Sequence, residues 1–374
     1  MSDWRQTTVG ELLTLEYGKP LPDKARDGQG FPVYGSNGIV GYHSQAMVKG
    51  PGVIVGRKGT GSSGSVNFSE GDFSPIDTAF YVLAKDSDQI GMEFTYHLLV
   101  NAKLTELATQ TGVPGLTRSR AYEIRVALPP VPLQKRIVEV IGAVDDQITA
   151  LKAEAVALEG MYRAASSLLW RTTQGDEAES RPLGDVMYLD IARTPMESGT
   201  TYRLAGVLNS GKGLVDKETF DGADTEYKAM NVLRKDQVVM RKLTAWEGPI
   251  TVVPADFDGF VASNEFPTFT LASDIDPGWM KHVCRTPRLW AEMQSRVVGT
   301  VQRRKRLNPD QLLIVKLPVT HRHEQEQAAG ALDVVEEQVA SVRTEADRLG
   351  KVRTSLLSGL LDRTIDIESA EQEV

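Results

Sequence analysis

The stretch QKRIVEVIGAVDDQITALKAEAVALEGMYRAASSLL, residues 134–169, decides the fold, because its apolar and small residues recur at alternating steps of four and three. This spacing is the heptad seam of a coiled coil. A helix of this length is roughly 50 Å long. The seam positions are Ile137, Ile141, Val144, Ile148, Leu151, Ala155, Leu158, Tyr162, Ala165 and Leu169.

A second seam with the same register lies near the C-terminus. Its positions, each 191 residues beyond those of the first seam, are Ala328, Leu332, Val335, Val339, Val342, Ala346, Leu349, Arg353, Leu356 and Leu360. Only Arg353 is neither apolar nor small, and Gln134 recurs as Gln325. A single narrow seam buries little surface, so we expect the two helices to pack their seams against each other. The alternative is that each helix lies on its own globular domain.

The segments before the two helices also correspond. Residues 9–12 resemble 183–186, residues 53–58 resemble 238–242, and each half reaches a strand that ends in Leu-Pro. Short β-like runs dominate these segments, and the best helix candidates are 94–109 and 279–297. The order is therefore globular unit, long helix, globular unit, long helix, in an α+β fold. The predicted boundaries are 1–130 (first unit), 131–172 (helix), 173–182 (polar linker), 183–320 (second unit), 321–364 (helix) and 365–374 (acidic tail).

Composition excludes several classes of protein. The chain has 374 residues, enough for two or three domains, and no apolar run of about eighteen residues that would span a membrane. The N-terminus lacks the layout of a secretory signal. The single cysteine, Cys284, excludes an internal disulfide and fits a reducing cytoplasm. His321 and His323 are close together but have no further ligand in a metal-binding spacing, so we expect no metal site.

The net charge of −8, taken alone, argues against a nucleic-acid binder. The charge is unevenly distributed, however. Residues 302–306, QRRKR, form a compact basic block, whereas the C-terminal tail is acidic. Acidic segments can therefore hide a local basic face from the sum over the whole chain.

Residues 59–64, GTGSSG, formally match the G-x-G-x-x-G phosphate-binding fingerprint. The fingerprint indicates a dinucleotide site only between a strand and a helix. The next residues, 65–75, contain a Gly and a Pro and alternate like a strand, so we predict a loop between two strands. Such a loop is either a plain hairpin or one that approaches nucleic-acid phosphates. An enzyme that binds a nucleotide cofactor is the disfavoured alternative.

The layout resembles the specificity subunit of type I restriction–modification systems, and the resemblance covers the whole chain. Four stretches carry it: 53–59 with 77–82, 128–137, 245–248 with 263–266, and 323–325. The resemblance implies two globular target-recognition domains that are joined and separated by two long antiparallel coiled-coil helices, in a pseudo-two-fold internal repeat. Each domain would read one half of a bipartite, asymmetric site in double-stranded DNA.

The resemblance also implies a cytoplasmic protein of phage defence without a reaction centre of its own. We find neither an Asn/Asp-Pro-Pro-aromatic loop nor a Walker lysine motif in the sequence. The chain would bind methyltransferase subunits, two per specificity subunit, and restriction/translocase subunits. S-adenosylmethionine, ATP and Mg²⁺ would bind to those partners and not to this chain. The rival hypothesis is a coiled-coil adaptor that makes no direct contact with DNA.

Cationic and small polar residues at two equivalent places are the candidate DNA contacts. The first place is the glycine-rich loop with residues 115–120, and the second is the block at 302–306, which also precedes the last strand of its unit. Asn264 and Glu265 are either base readers or caps at the end of a strand. The candidate DNA-binding residues are Arg57, Lys58, Thr60, Ser62, Ser63, Arg118, Arg120, Arg241, Lys242, Trp246, Asn264, Gln302, Arg303, Arg304, Lys305 and Arg306.

Overall fold

The computed structural model describes residues 4–109, 114–171, 179–299 and 305–366. It divides into two units, Met1–Lys152 with Thr344–Val374 (unit 1) and Ala153–Arg343 (unit 2). Each long helix therefore contributes one part to each unit. Residues Gln302, Arg303 and Arg304, most of the predicted linker and most of the acidic tail lie outside the described residues.

Unit 1 is built on an antiparallel four-stranded sheet in the order β2-β8-β5-β6, a three-stranded sheet β4-β3-β7 and a two-stranded ladder β1-β9. Its core lies between the four-stranded sheet and α2, where Val53 and Phe80 pack with Phe94. The elements are β1 Arg5–Thr8, α1 Val9–Leu12, β2 Leu13–Tyr17, β3 Phe31–Gly35, β4 Gly38–His43, β5 Gly52–Gly56, β6 Val66–Ser69, β7 Ser74–Pro75, β8 Ala79–Ala84, α2 Met92–Asn101, α3 Arg118–Tyr122, β9 Arg125–Leu128 and the long helix α4 Val131–Ser167.

Unit 2 repeats this plan. It has a two-stranded ladder β10-β20, an antiparallel four-stranded sheet β11-β19-β16-β17 and a five-stranded sheet β12-β15-β18-β13-β14. The elements are β10 Glu179–Pro182, α5 Leu183–Val186, β11 Met187–Leu189, β12 Ala192–Pro195, β13 Thr201–Val207, β14 Leu214–Asp221, β15 Ala229–Val232, β16 Val238–Met240, β17 Ile250–Val252, β18 Val261–Ala262, β19 Thr268–Leu271, α6 Pro277–Cys284, α7 Pro287–Arg296, α8 Pro309–Leu313, β20 Lys316–Val319 and the long helix α9 Arg322–Leu361. The predicted α+β fold with an internal repeat and two long helices is confirmed.

Two buried glutamines fix the starts of the long helices. The side-chain amide of Gln134 donates to the carbonyls of Gln89 and Pro129 at 2.8 and 2.9 Å. The amide of Gln325 donates in the same way to Asp274 and Thr320, at 3.2 and 2.8 Å. Because a buried amide must be hydrogen-bonded, each glutamine ties its helix to the loop that precedes the neighbouring short helix.

In unit 1, the first part of α4 packs antiparallel against the last part of α9. Ile137 and Ile141 share a buried cluster with Leu357, and Asp145 accepts two hydrogen bonds from Arg353 at 2.5 and 2.8 Å. The residue numbers thus rise along one helix as they fall along the other. The seam residues in this unit, all buried or half-buried, are Ile137, Ile141, Val144, Ile148, Leu151, Leu349 and Leu356.

In unit 2, the remaining parts of the two helices also run antiparallel. Glu159 forms an ion pair with Arg343, and Leu169 and Ala328 pack against the same core. The seam residues in this unit, all buried or half-buried, are Leu158, Leu332, Val335, Val339 and Val342.

The structure differs from the sequence pattern at the short helices. The predicted helix 279–297 is two helices, α6 and α7, because Pro287 has no N–H to continue α6 and instead begins α7. The predicted helix 94–109 ends at Asn101 and is followed by a separate 3₁₀ turn, Leu104–Leu107. Within the described part of the chain, no helix is long and apolar enough to cross a membrane.

Candidate nucleic-acid interface

The glycine-rich loop of unit 1 is held by backbone hydrogen bonds from two distant segments. The N–H of Leu116 donates to the carbonyl of Arg57 at 2.9 Å, and the N–H of Arg57 donates to Thr78 at 2.9 Å. The N–H of Gly59 donates to Pro114 at 3.1 Å. The segment before α3 and the segment before β8 therefore fix the root of the loop on both sides.

The loop joins β5 to β6, which pair as an antiparallel hairpin. No helix follows the glycines, so the local structure lacks the strand-to-helix turn that a dinucleotide site needs. Lys58 and Thr60 are exposed and Ser62 is half-buried. Ser63 is only 3% exposed. Its hydroxyl donates to Pro114 at 2.9 Å, so this candidate contact serves the fold of the loop instead of a ligand.

Two glycines of the loop have different roles. Gly64 has φ +85°, and a Cβ there would lie 2.4 Å from the backbone of Leu104, so this glycine is required for close packing within unit 1. Gly61 has φ +74° with no atom within 4 Å of a Cβ position. The tip of the loop is thus the part that is open to a large ligand.

A cluster of one aromatic ring, two arginines and one carboxylate lies beside this loop. The guanidinium carbons of Arg57 and Arg118 lie 4.5 and 4.0 Å from the ring centroid of Tyr17. Arg118 Nη2 also donates to Glu16 Oε2 at 3.2 Å, and Arg57 Nη1 donates to the carbonyl of Asp77 at 2.9 Å. Close packing of two cations over one ring is favourable because the ring face is electron-rich and Glu16 offsets the charge.

Sequence reasoning did not identify Tyr17 or Glu16. An aromatic residue at the end of an alternating strand is typical of core, and an acidic residue argues against contact with DNA. Yet Tyr17 is 47% exposed. Its partners Arg57 and Arg118 are far away in sequence, so only the tertiary structure brings the four side chains together.

Unit 2 repeats this set of backbone hydrogen bonds, here called the backbone frame, around other residues. The N–H of Leu307 donates to Lys242 at 3.0 Å, as Leu116 does to Arg57, and the N–H of Lys242 donates to Glu265 at 2.9 Å, as Arg57 does to Thr78. The N–H of Thr244 donates to Lys305 at 3.1 Å. The structure therefore places the described part of the 302–306 block beside residues 242–244, which follow β16, as it places residues 114–116 beside residues 57–59, which follow β5.

The cationic side chains of this second frame differ in how many contacts they make within unit 2. Arg241 donates to four acceptors within unit 2, namely Leu243, Asn209, Thr244 and Glu247, so its guanidinium is occupied by the fold. Arg306 is exposed and pairs with Glu265 at 3.2 Å.

The remaining candidates are placed as follows. Trp246 and Asn264 are half-buried, and Trp246 Nε1 and Asn264 Oδ1 are buried atoms without a partner among the described residues. Asn264 Nδ2 donates to Ala229 at 3.3 Å. Lys242 is half-buried, and exposed Arg120 donates to the carbonyl of Leu107 at 3.0 Å.

A cluster of metal-ligating residue types lies elsewhere in unit 2. Ligand atoms of His282, Asp333 and Glu336 lie within 4.8 Å of one another. Lys281 contacts both carboxylates, at 2.6 and 3.0 Å, and Arg285 pairs with Glu336. Cationic side chains thus already hold the oxygens that a metal ion would need.

Cys284, next to this cluster, is fully buried. Burial raises the pKa of its thiol to about 12. The thiol therefore stays protonated at neutral pH and is a structural residue.

Comparisons with known proteins agree with this geometry. The family model of the type I restriction modification DNA specificity domain matches residues 1–159. The type I restriction enzyme EcoprrI specificity subunit of Escherichia coli is 23% identical over 146 residues, which are 38% of this chain and 36% of that relative. This chain thus matches only about a third of the length of the curated relative.

Two solved structures share the fold. The S subunit of a type I restriction–modification system from M. genitalium superimposes with a TM-score of 0.60 at 14% identity, over 96% of each chain. A structure that describes complex assembly and conformational transition of the type I R-M system gives a TM-score of 0.60 at 15% identity, over 96% of this chain and 97% of that chain. The model of the type I restriction modification DNA specificity domain thus matches the first 159 residues of this chain, and nearly the whole chain shares the fold of the S subunit from M. genitalium.

Proposed function

We propose that this chain is the sequence-specific DNA-recognition subunit of a type I restriction–modification complex, in which unit 1 and unit 2 each read one half of a bipartite site. One observation carries the proposal: the same backbone frame presents cationic side chains in both units, around Arg57 and Arg118 in one and around Lys242 and Arg306 in the other. Because the two sets of side chains differ, the two half-sites differ, and the whole site is asymmetric.

The net charge of −8 does not oppose this function. Exposed Lys58, Arg120 and Arg306 lie on or near the two frames, where they supply local positive charge. Phosphate contacts depend on such local cations, and the charge of the rest of the molecule is screened within about 8 Å at physiological ionic strength.

The likeness to known specificity subunits supports the assembly that we propose. Two methyltransferase subunits bind to each chain, and restriction/translocase subunits complete the nuclease. The chain itself is non-catalytic, while S-adenosylmethionine, ATP and Mg²⁺ serve the partner subunits. The long helices offer surfaces to the methyltransferase subunits.

The function is tested by sequencing methylated adenines in cells that carry the complete system. We expect one bipartite, asymmetric motif, and its loss when this chain is deleted. In the purified complex with methyltransferase subunits, the double variant Lys305→Ala, Arg306→Ala should bind DNA more weakly, with a salt slope shallower by about 1 to 2 because up to two phosphate contacts are removed.

The matched control is the double variant Lys135→Ala, Arg136→Ala, which removes two exposed cations from the start of α4. An unchanged affinity and salt slope in the Lys305/Arg306 variant would favour a coiled-coil adaptor without DNA contact. A complex that shows no preference among DNA sequences would rule out the proposed function altogether.

A further inference from the structure

Arg118 is held in one orientation before any ligand arrives. Its guanidinium lies 4.0 Å from the ring centroid of Tyr17, and its Nη2 donates to Glu16 at 3.2 Å. Stacking restrains the plane of the guanidinium, and the hydrogen bond restrains its rotation within that plane. Its Nε atom is buried without a partner among the described residues, so the stem of the side chain is packed against protein.

Other cations of the two frames differ from Arg118 in their freedom. Lys58 is exposed, and its ammonium is a flexible point charge suited to phosphate. Arg241 is fixed, but its hydrogen bonds to four acceptors inside unit 2 leave it little to offer a ligand. Arg118 is also held in place, but its side chain is 31% exposed. Among the described residues it makes one hydrogen bond, from Nη2 to Glu16.

We propose that Arg118 reads a base edge in the half-site bound by unit 1, and that Glu16 and Tyr17 are its positioning residues. A guanidinium with a fixed plane matches the O6 and N7 acceptors of guanine, which are read by a two-pronged hydrogen-bond contact in the major groove. Glu16 neutralises the positive charge of the Arg118 guanidinium. The attraction of Arg118 to DNA phosphates, which does not depend on base sequence, therefore falls, while the N–H donors of the guanidinium stay oriented. This inference rests on the proposed function and assigns base reading to one of its residues.

The experiment uses the complex of this chain with its methyltransferase subunits. The target is first read from methylated adenines. Dissociation constants are then measured for the target duplex, for duplexes with each base pair of both half-sites changed in turn, and for an unrelated duplex. The variants are Arg118→Lys, Arg118→Ala, Glu16→Gln and Tyr17→Leu, with Arg136→Lys and Glu139→Gln as controls from an exposed ion pair of the same unit.

We expect Arg118→Lys to lose discrimination at one G·C pair, on the order of tenfold to a hundredfold, while affinity for the unrelated duplex stays the same. Glu16→Gln and Tyr17→Leu should lose discrimination at that same pair, and Glu16→Gln should bind the unrelated duplex no more weakly than the wild type. The two controls should leave every position unchanged.

Two results would overturn the inference while leaving the proposed function intact. If Arg118→Lys leaves every position unchanged and Arg118→Ala weakens binding to all duplexes equally, with a salt slope shallower by about 0.9, then Arg118 contacts phosphate. If Glu16→Gln lowers the melting temperature but changes no base preference, the pair only holds α3 to β2. A wild-type complex without any base preference would instead refute the proposed function.

Discussion

His97 and His282 occupy matching positions in the two units. The N–H of Gly91 donates to Gln134, the N–H of Asp276 donates to Gln325, and each histidine lies six residues further on. Both are buried, and desolvation is the main cause that lowers the pKa of each to about 4. Both histidines are therefore neutral in the folded protein at pH 7.

The buried histidines make stability depend on pH. In the unfolded chain a histidine takes up a proton near pH 6.5, whereas folded His97 resists it until about pH 4. Between these values the unfolded state binds more protons, so stability is fully present above pH 6.5 and is lost as the pH falls toward 4. The lowered pKa of His97 corresponds to a decrease of about 3 kcal/mol in the free energy of unfolding when the pH falls from above 6.5 to below 4.

The substitution His97→Gln should make thermal stability less sensitive to acid. A glutamine side chain cannot be protonated in this pH range, so the fall in melting temperature between pH 7 and pH 4.5 becomes smaller. The remaining fall reflects His282 and the carboxyl groups whose pKa is lowered in the folded protein, such as those of Asp274 and Asp333. The control is His323→Gln, which changes an exposed histidine of α9. Equal pH profiles for the His97→Gln and His323→Gln variants would contradict this account.

Single residues were the least predictable part of the site. Ser63 looks like a phosphate ligand in sequence, yet its hydroxyl faces Pro114. Gly64 looks like part of a phosphate cradle, yet it makes room for the backbone of Leu104. Both outcomes depend on partners about 40 to 50 residues away, and a local pattern holds no information about such contacts.

The long helices were the most predictable elements, because a 3.5-residue period and a shared register need no tertiary information. The sequence also marks Arg353 as the one exception in the second seam. Its partner could not be read from the pattern. The structure supplies it: Asp145 holds the guanidinium through two hydrogen bonds, and this pairing raises the pKa of Arg353.

Asp145→Asn should destabilise the helix pair in unit 1 by about 2 kcal/mol, since it removes the charge that pairs with Arg353 and one of the two acceptors. The side chain of Arg353 is only 15% exposed, so water replaces the lost partner poorly. The measurement is the free energy of unfolding by urea denaturation.

The control for this variant is Asp146→Asn, which removes the same charge from the neighbouring, exposed position of α4. Equal stability of the two variants would mean that the ion pair contributes nothing. The double variant Asp145→Leu, Arg353→Leu should recover part of the loss, because an apolar pair at this seam leaves no buried charge without a partner.

At the scale of the whole molecule, the repeat extends further than sequence similarity does. The four-stranded sheets share one strand order, and the buried glutamines and the frame around Arg57 and Lys242 recur. The side chains on that frame do not recur. A repeated backbone with different side chains fits the proposed reading of two unlike half-sites. Contacts to the DNA backbone fix the position of the protein on the duplex, and the side chains that reach base edges determine which bases are recognised.

Under the proposed function, the two units should contact their half-sites independently. Arg118 has its partners Glu16 and Tyr17 in unit 1, and Arg306 has its partner Glu265 in unit 2, so the two arginines share no partner among these contacts. We expect Arg118→Ala and Arg306→Ala each to weaken contacts with a different half-site. In the double variant the losses of binding free energy should add to within about 0.5 kcal/mol. Base-by-base competition binding on the complex with methyltransferase subunits measures both effects. Strong coupling between the two variants, or an effect of both on the same half-site, would mean that one composite surface contacts the DNA, and the repeat would then serve assembly instead of reading.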